Sequence, residues 1–210
     1  MRILYPALAT ILSCTMASVS ILSAQTTNPD ANWVDMRSLV PDLVLDIRYA
    51  TTNNFMEEKI YECGECYLRK EVADAIARVH RRIKAQGYGG LKMYDCYRPH
   101  SAQWKLWKKV PNTQYVADPR KGSMHNRGSA VDLTVVDKNG KELDMGTGYD
   151  VFDKKAYIDY IGHPANINNN RKLLQTAMIA EGFRTTRTEW WHFSYTLKSY
   201  PISDYLWKCK

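Results

Sequence analysis

Apolar positions along this chain recur at two periods, and stretches of each alternate from end to end. Leu43, Leu45 and Ile47 alternate with Val44, Asp46 and Arg48, which predicts a short strand. Over 68–85 the apolar residues Leu68, Val72, Ala75, Ile76, Val79 and Ile83 follow helical spacing, with Gly87 as the stop and His80 on the charged side. Leu91–Asp95 alternates again as a strand and runs into Cys96-Tyr97-Arg98-Pro99. His100–Lys109 is a short basic amphipathic segment whose Trp104 and Trp107 read as core-packing residues. Val131, Leu133 and Val135 share one strand face and leave Asp132 on the other. Lys138-Asn-Gly-Lys141 is a hairpin turn returning the chain through Leu143. Asn169–Glu181 reads as a helix with a Leu173, Leu174, Ala177, Met178 stripe and Gly182 as its stop. A last strand sets Trp190, His192 and Ser194 against Trp191, Phe193 and Tyr195. The pattern predicts an α+β domain with a small, mainly antiparallel central sheet flanked by helices.

Length and composition fit that picture: 210 residues, 45% of them hydrophobic, suffice for one domain with a real core. Residues 1–24 read as a secretory signal: Arg2, an apolar run from Ile3 to Leu22 broken by Pro6, then Ser23-Ala24 before polar Gln25. This leaves a single domain over 25–210, exported to the periplasm, without a stable membrane span after processing. Lipoprotein anchoring at Cys14 ranks behind simple cleavage near Ala24. Residues 25–40 are polar and weakly patterned, a lead-in. Cys63, Cys66, Cys96 and Cys209 remain as disulfide candidates with three pairings open. Half of a structural zinc site at Cys63-Gly-Glu-Cys66 is the weaker reading, because no second CxxC exists. The net charge is +7 and the pI about 9.1. Arg81, Arg82 and Lys84 fall in the last turn of a predicted helix, where cations suit the dipole. With Lys108-Lys109 they read as solvated faces rather than a nucleic-acid surface, and an anionic cell-wall polymer is the partner such a surface suits.

Chemistry concentrates in two stretches. Gly122-Ser-Met-His-Asn-Arg-Gly-Ser-Ala-Val-Asp-Leu-Thr134 offers His125 and Asp132, with small Gly128, Ser129 and Ala130 between them allowing close approach of backbone or ligand. Glu189-Trp-Trp-His192 offers His192 and a carboxylate. Two imidazoles and one carboxylate form a standard ligand set for one catalytic Zn²⁺ with a position open to water, and Glu189 is then free to act as a base. Strict alternation puts Glu189 opposite His192, so a bend entering the strand is required. His163, in a Gly-His-Pro-Ala loop, is the rival metal ligand, and His100 reads as structural. Gly146-Thr-Gly148 lacks the third glycine of a nucleotide loop.

Ser123-x-His125-x-x-Gly128-x-Ala130-x-Asp132 with Glu189-x-Trp191-His192 resembles the VanX-type zinc D-alanyl-D-alanine dipeptidases. These sit within a superfamily of D,D-carboxypeptidases, endolysin peptidases and the hedgehog domain. The resemblance runs from about Val40 to the C-terminus. It implies further roles: transition-state stabilisation by Arg98, within Asp95-x-Tyr97-Arg98-Pro99; the substrate's amino end at Tyr49, in Tyr49-Ala-Thr-Thr-Asn-Asn-Phe55, and at Asp150, with Asp153 a nearby alternative; and substrate contact near the metal at Ser123. Cys96 departs from the family's glycine, which leaves the local backbone shape open. The expected function is an exported zinc metallopeptidase hydrolysing the D-alanyl-D-alanine dipeptide, in peptidoglycan turnover or dipeptide scavenging, ahead of glycopeptide resistance. The alternatives are a D,D-carboxypeptidase or endopeptidase on peptidoglycan stem peptides, and a zinc-containing binding protein without turnover.

Overall fold

Five strands form the central sheet in the order β2-β4-β5-β7-β6, from Val44–Leu45 (β2), Gly90–Asp95 (β4), Ala130–Val136 (β5), Phe183–Thr186 (β6) and Glu189–Tyr195 (β7). Only the short edge pair β2–β4 is parallel among these, so the sheet is mainly antiparallel as expected. The computed structural model describes Met1 and residues 32–209, so the expected leader over 1–24, with Cys14, lies outside the described residues apart from Met1. Among the described residues no helix is long and apolar enough to cross a membrane.

Two long helices, Lys70–Ala85 (α2) and Ala165–Ile179 (α4), pack on β4, β6 and each other. Strand β5 lies between β4 and β7 and is buried along its whole length, covered on both faces. Its apolar side, Val131, Leu133 and Val135, meets Leu91, Met93 and Phe193 in the core, which leaves the other side free to carry polar chemistry. The hairpin at 138–141 forms as expected, with Gly140 at φ 80 and the Leu143 amide donating to the Val135 carbonyl.

Several expectations are corrected. The described part of the weakly patterned lead-in forms regular elements, Trp33–Asp35 (β1) and Met36–Leu39 (α1), with Met36 fully buried. β1 pairs with Tyr67–Arg69 (β3), so Leu68 lies in a strand and the helix starts at Lys70. That pairing depends on a partner some thirty residues away, which helical periodicity cannot register. Helix α4 starts earlier than expected, at Ala165 directly after Pro164. Trp104 is 41% exposed on His100–Lys109 (α3), whereas Trp107 packs on the core. His80 is not a surface residue: it is 2% exposed, and its Nδ1 accepts the Leu91 amide at 3.2 Å. Gly90, at φ 120, runs so close that an added Cβ would fall 2.3 Å from the His80 ring.

The cysteines pair as Cys63–Cys209 and Cys66–Cys96. Cys96 thus follows β4 and is tied to the residue just before β3. The other bridge holds the chain's end, where Trp207 packs against Tyr61, Tyr67 and Tyr97.

Burial depresses the His80 pKa, with Asp42 acting against it. The folded protein therefore takes up this proton at lower pH than the unfolded chain, whose histidine titrates near about 6.5. The stabilisation is complete above that value and is lost as pH falls through it toward the lower folded-state pKa. Urea unfolding at pH 7.5 and 5.5 should show a loss on acidification that is smaller in His80→Gln.

Candidate metal centre and active site

Three neighbouring strands present one residue each in a row. Asp95 on β4 pairs with Asp132 on β5, and Asp132 pairs with His192 on β7. The first pairing requires a slip in the ladder between Met93 and Asp95. His125 reaches the row from the 3-10 turn His125–Arg127, which Gly128 closes in a left-handed conformation at φ 67. Contrary to expectation, the smallness of Gly128 serves packing rather than a ligand, since a Cβ there would fall 2.2 Å from the Trp33 ring.

His125, Asp132 and His192 are the one group of three metal-capable side chains among the described residues whose ligand atoms all lie within 4.8 Å of one another. His125 Nε2 and His192 Nδ1 face each other at 3.1 Å, and Asp132 Oδ1 lies 3.3 and 2.9 Å from them. Bonds of about 2.0–2.1 Å at tetrahedral angles would put ligand atoms about 3.3 Å apart, so the triangle fits Zn²⁺ closely. The remaining ring nitrogens are committed elsewhere: His125 Nδ1 to the Cys96 carbonyl at 2.7 Å and His192 Nε2 to Ser194 Oγ at 3.0 Å. Such contacts orient the rings and would select the nitrogen offered to a metal. Burial opposes ionisation of Asp132, but the two imidazoles hold its carboxyl well below the ordinary range.

Glu189 joins this site through an irregularity. The β6–β7 ladder runs to Thr185↔Phe193 and then shifts to pair Thr186 with Glu189. The displaced backbone brings Glu189 Oε2 to 4.0 Å from His192 Nδ1, on the same cavity, which supplies the bend the sequence demanded. Burial pushes the Glu189 carboxyl up to about 7, with His192 pulling the other way.

Arg98 lines the same cavity and is itself fixed. Its Nε and Nη2 donate to Asp95 Oδ2 at 3.0 and 2.7 Å, and Nη1 to Gln103 Oε1 at 2.9 Å. Asp95 is fully buried and also accepts from Tyr61 Oη at 2.9 Å and the Cys96 amide at 3.0 Å. A guanidinium has five N–H donors, so these bonds leave two for another acceptor. Burial works against the Arg98 charge, yet Asp95 and the surrounding tyrosines keep its pKa raised.

The cavity, about 300 Å³, extends from the metal row to Asp150, whose carboxylate accepts from Tyr49 Oη at 3.1 Å. Asp150 holds a left-handed backbone, φ 59, and burial lifts its carboxyl to about 7, helped by the charge of Asp132. Ser123 also lines the cavity, and its Oγ accepts the His125 amide. All the expected site residues therefore share one cavity. Asp153 instead caps the turn Lys154–Ala156, and His163 bonds the Lys155 carbonyl, so neither enters it. His100 bonds the Pro119 carbonyl and is structural. Sequence reasoning missed Gln103, Ser194, Tyr149 and the wall at 113–117. Of these, Ser194 carried a signal, lying two residues beyond His192 on the same strand face.

Comparison with known proteins shows the family. The family model described as D-ala-D-ala dipeptidase matches residues 29–205. A D-alanyl-D-alanine dipeptidase of Escherichia coli is 38% identical over 172 residues, 80% of this chain and 88% of the relative. The dipeptidase of Enterococcus faecium is 32% identical over 179 residues, 75% of this chain and 88% of the relative. Among solved structures, the LD-carboxypeptidase LdcB superposes with a TM-score of 0.42 at 24% identity, over 66% of this chain and 60% of that one. The chain belongs to the D-Ala-D-Ala dipeptidase family of zinc metallopeptidases.

Proposed function

We propose that this protein hydrolyses free D-alanyl-D-alanine, with His125, Asp132 and His192 holding one Zn²⁺. The observation that carries the reading is the convergence of those three ligand atoms beside Glu189, with Asp150 lining the same cavity. When bound, zinc supplies a water acidified to a pKa of about 7 and a Lewis acid for the scissile carbonyl. Glu189 accepts the proton of the attacking water and returns it to the leaving amine. The two spare N–H groups of Arg98 stabilise the negative charge that develops on the carbonyl oxygen. Asp150 and Tyr49 hold the substrate ammonium, and Ser123 contacts the substrate near the metal.

The amino-end contacts support a dipeptidase over a stem-peptide carboxypeptidase. A free dipeptide brings a cation to the buried Asp150, whereas an acylated peptide brings none and leaves the carboxylate without a charged partner. The apolar run before Ala24, together with two disulfides, supports export to an oxidising compartment such as the periplasm. In that setting the dipeptide would come from peptidoglycan turnover or be scavenged, because the cytoplasmic precursor pool is out of reach.

Glu189→Gln should abolish hydrolysis of D-alanyl-D-alanine while the protein still takes up one zinc per chain by metal analysis; a binding protein without turnover would show no hydrolysis to lose. Arg98→Lys keeps the charge but not the fork, and should lower kcat by about 10²–10³-fold. Wild type should cleave the free dipeptide and spare its N-acetyl derivative. Asp150→Asn should weaken use of the free dipeptide by roughly 2–5 kcal/mol, mainly in KM. Equal cleavage of both substrates by wild type would instead favour the stem-peptide carboxypeptidase.

A further inference from the structure

Asp132 has two oxygens, and the proposed metal site uses one. Oδ1 faces both imidazoles. Oδ2 points away and accepts a hydrogen bond from Tyr149 Oη at 3.0 Å. Arg98 Nη2 stands 4.0 Å from the same oxygen, too far for a hydrogen bond. Among the described residues Tyr149 is thus the side chain whose hydroxyl satisfies this oxygen, within a residue only 3% exposed.

The tyrosine is held where it can do this. Its ring packs against Tyr94 at 4.9 Å, Trp191 at 5.5 Å and Tyr49 at 6.3 Å. The loop carrying it is clamped from α4: Arg171, itself 4% exposed, donates to the carbonyls of Met145, Tyr157 and Lys155 at 2.8, 3.0 and 2.8 Å. Trp190 Nε1 adds a bond to Thr147 Oγ1 at 2.8 Å. The next residue is Asp150, whose left-handed backbone turns its carboxylate into the cavity. Two consecutive side chains of one pinned loop therefore serve the metal ligand and the substrate end.

We infer that Tyr149 is a positioning residue for the metal centre, which engages Asp132 Oδ2 and so keeps the carboxylate a one-oxygen ligand through Oδ1. The inference rests on the zinc reading above. A carboxylate can bind a metal through one oxygen or both, and one-oxygen binding leaves room in a tetrahedral site for water. Without the phenol, Oδ2 is buried and unsatisfied. The carboxylate then rotates, and either the bond to the metal is misaligned or the second oxygen closes on the open position. Hydrogen-bonding partners of metal ligands typically contribute 10–100-fold to metal affinity.

The test uses the intact protein. Zinc affinity is measured by competition with a chromophoric chelator, and coordination by the visible spectrum of the cobalt(II)-substituted protein, in which four-coordinate sites absorb more strongly than five-coordinate ones. Tyr149→Phe removes one oxygen and keeps the ring. It should lower the melting temperature of the metal-free protein only modestly, because Asp132 Oδ2 loses its hydrogen bond, weaken zinc about 10–100-fold, and alter the cobalt spectrum. Replacement of Tyr149 by 4-aminophenylalanine, which retains a donor, should restore both readouts, and this comparison decides the matter if the phenylalanine variant fails to fold. Wild-type protein that takes up no zinc would overturn the metal reading and this inference together. Wild type that binds zinc, with a Tyr149→Phe variant of equal affinity and spectrum, would overturn this inference alone.

Discussion

A carboxylate sits almost without solvent at the middle of the sheet, and the arrangement of the site follows from the need to make that tolerable. Isolated, the Asp132 charge would cost several kcal/mol to bury. It is met instead by two imidazole nitrogens on one oxygen and a phenol on the other. Each partner comes from a different part of the chain, so the carboxylate draws β7, the turn at His125 and the loop at Tyr149 to one place. A dication bound there would give the Asp132 charge a direct counter-ion, which is why the same geometry reads as a metal site.

A second buried acid stands beside the first in the ladder and needs its own partners. Asp95, beside Asp132 in the ladder, is fully enclosed and accepts from Tyr61, the Cys96 amide and Arg98. The carbonyl of the same Cys96 receives His125 Nδ1, so the residue bridged to Cys66 touches the supports of both the metal centre and the arginine. The C-terminal segment, tied back through Cys63–Cys209, packs Trp207 against Tyr61 and closes the rear of this support. Rigidity around the site thus comes from covalent bridges and satisfied hydrogen bonds together, the condition under which Arg98 would need little reorganisation in the role proposed for it.

Much of this was legible in the chain. Period-two alternation around Asp132 identified a strand with its acid facing away from the apolar residues, and β5 has that form. The helices over 70–85 and 165–179 are visible as apolar stripes, although their starts differ from those the periodicity predicts. Leu68 was drawn into a helix because its periodicity suits one, while pairing with Val34 decided otherwise. His80 looked solvated among arginines and lysines. It is buried because Gly90, lacking a side chain, lets the strand backbone close over the ring. Trp104 erred the opposite way: an aromatic residue on an amphipathic helix need not find a core to enter.

The chain by itself determined which residues could do chemistry, because ligand type, base and arginine are written in side-chain identity and in short spacings. Tertiary structure decided which of them meet. The slip opposite Thr186 turns Glu189 to the side of His192, against strict alternation. Choosing Asp150 over Asp153, excluding His163, pairing the cysteines and placing Tyr149 on the far oxygen of Asp132 all depend on contacts between segments distant in sequence. Local patterns carry no record of such contacts, since they arise only when the sheet brings its strands into register.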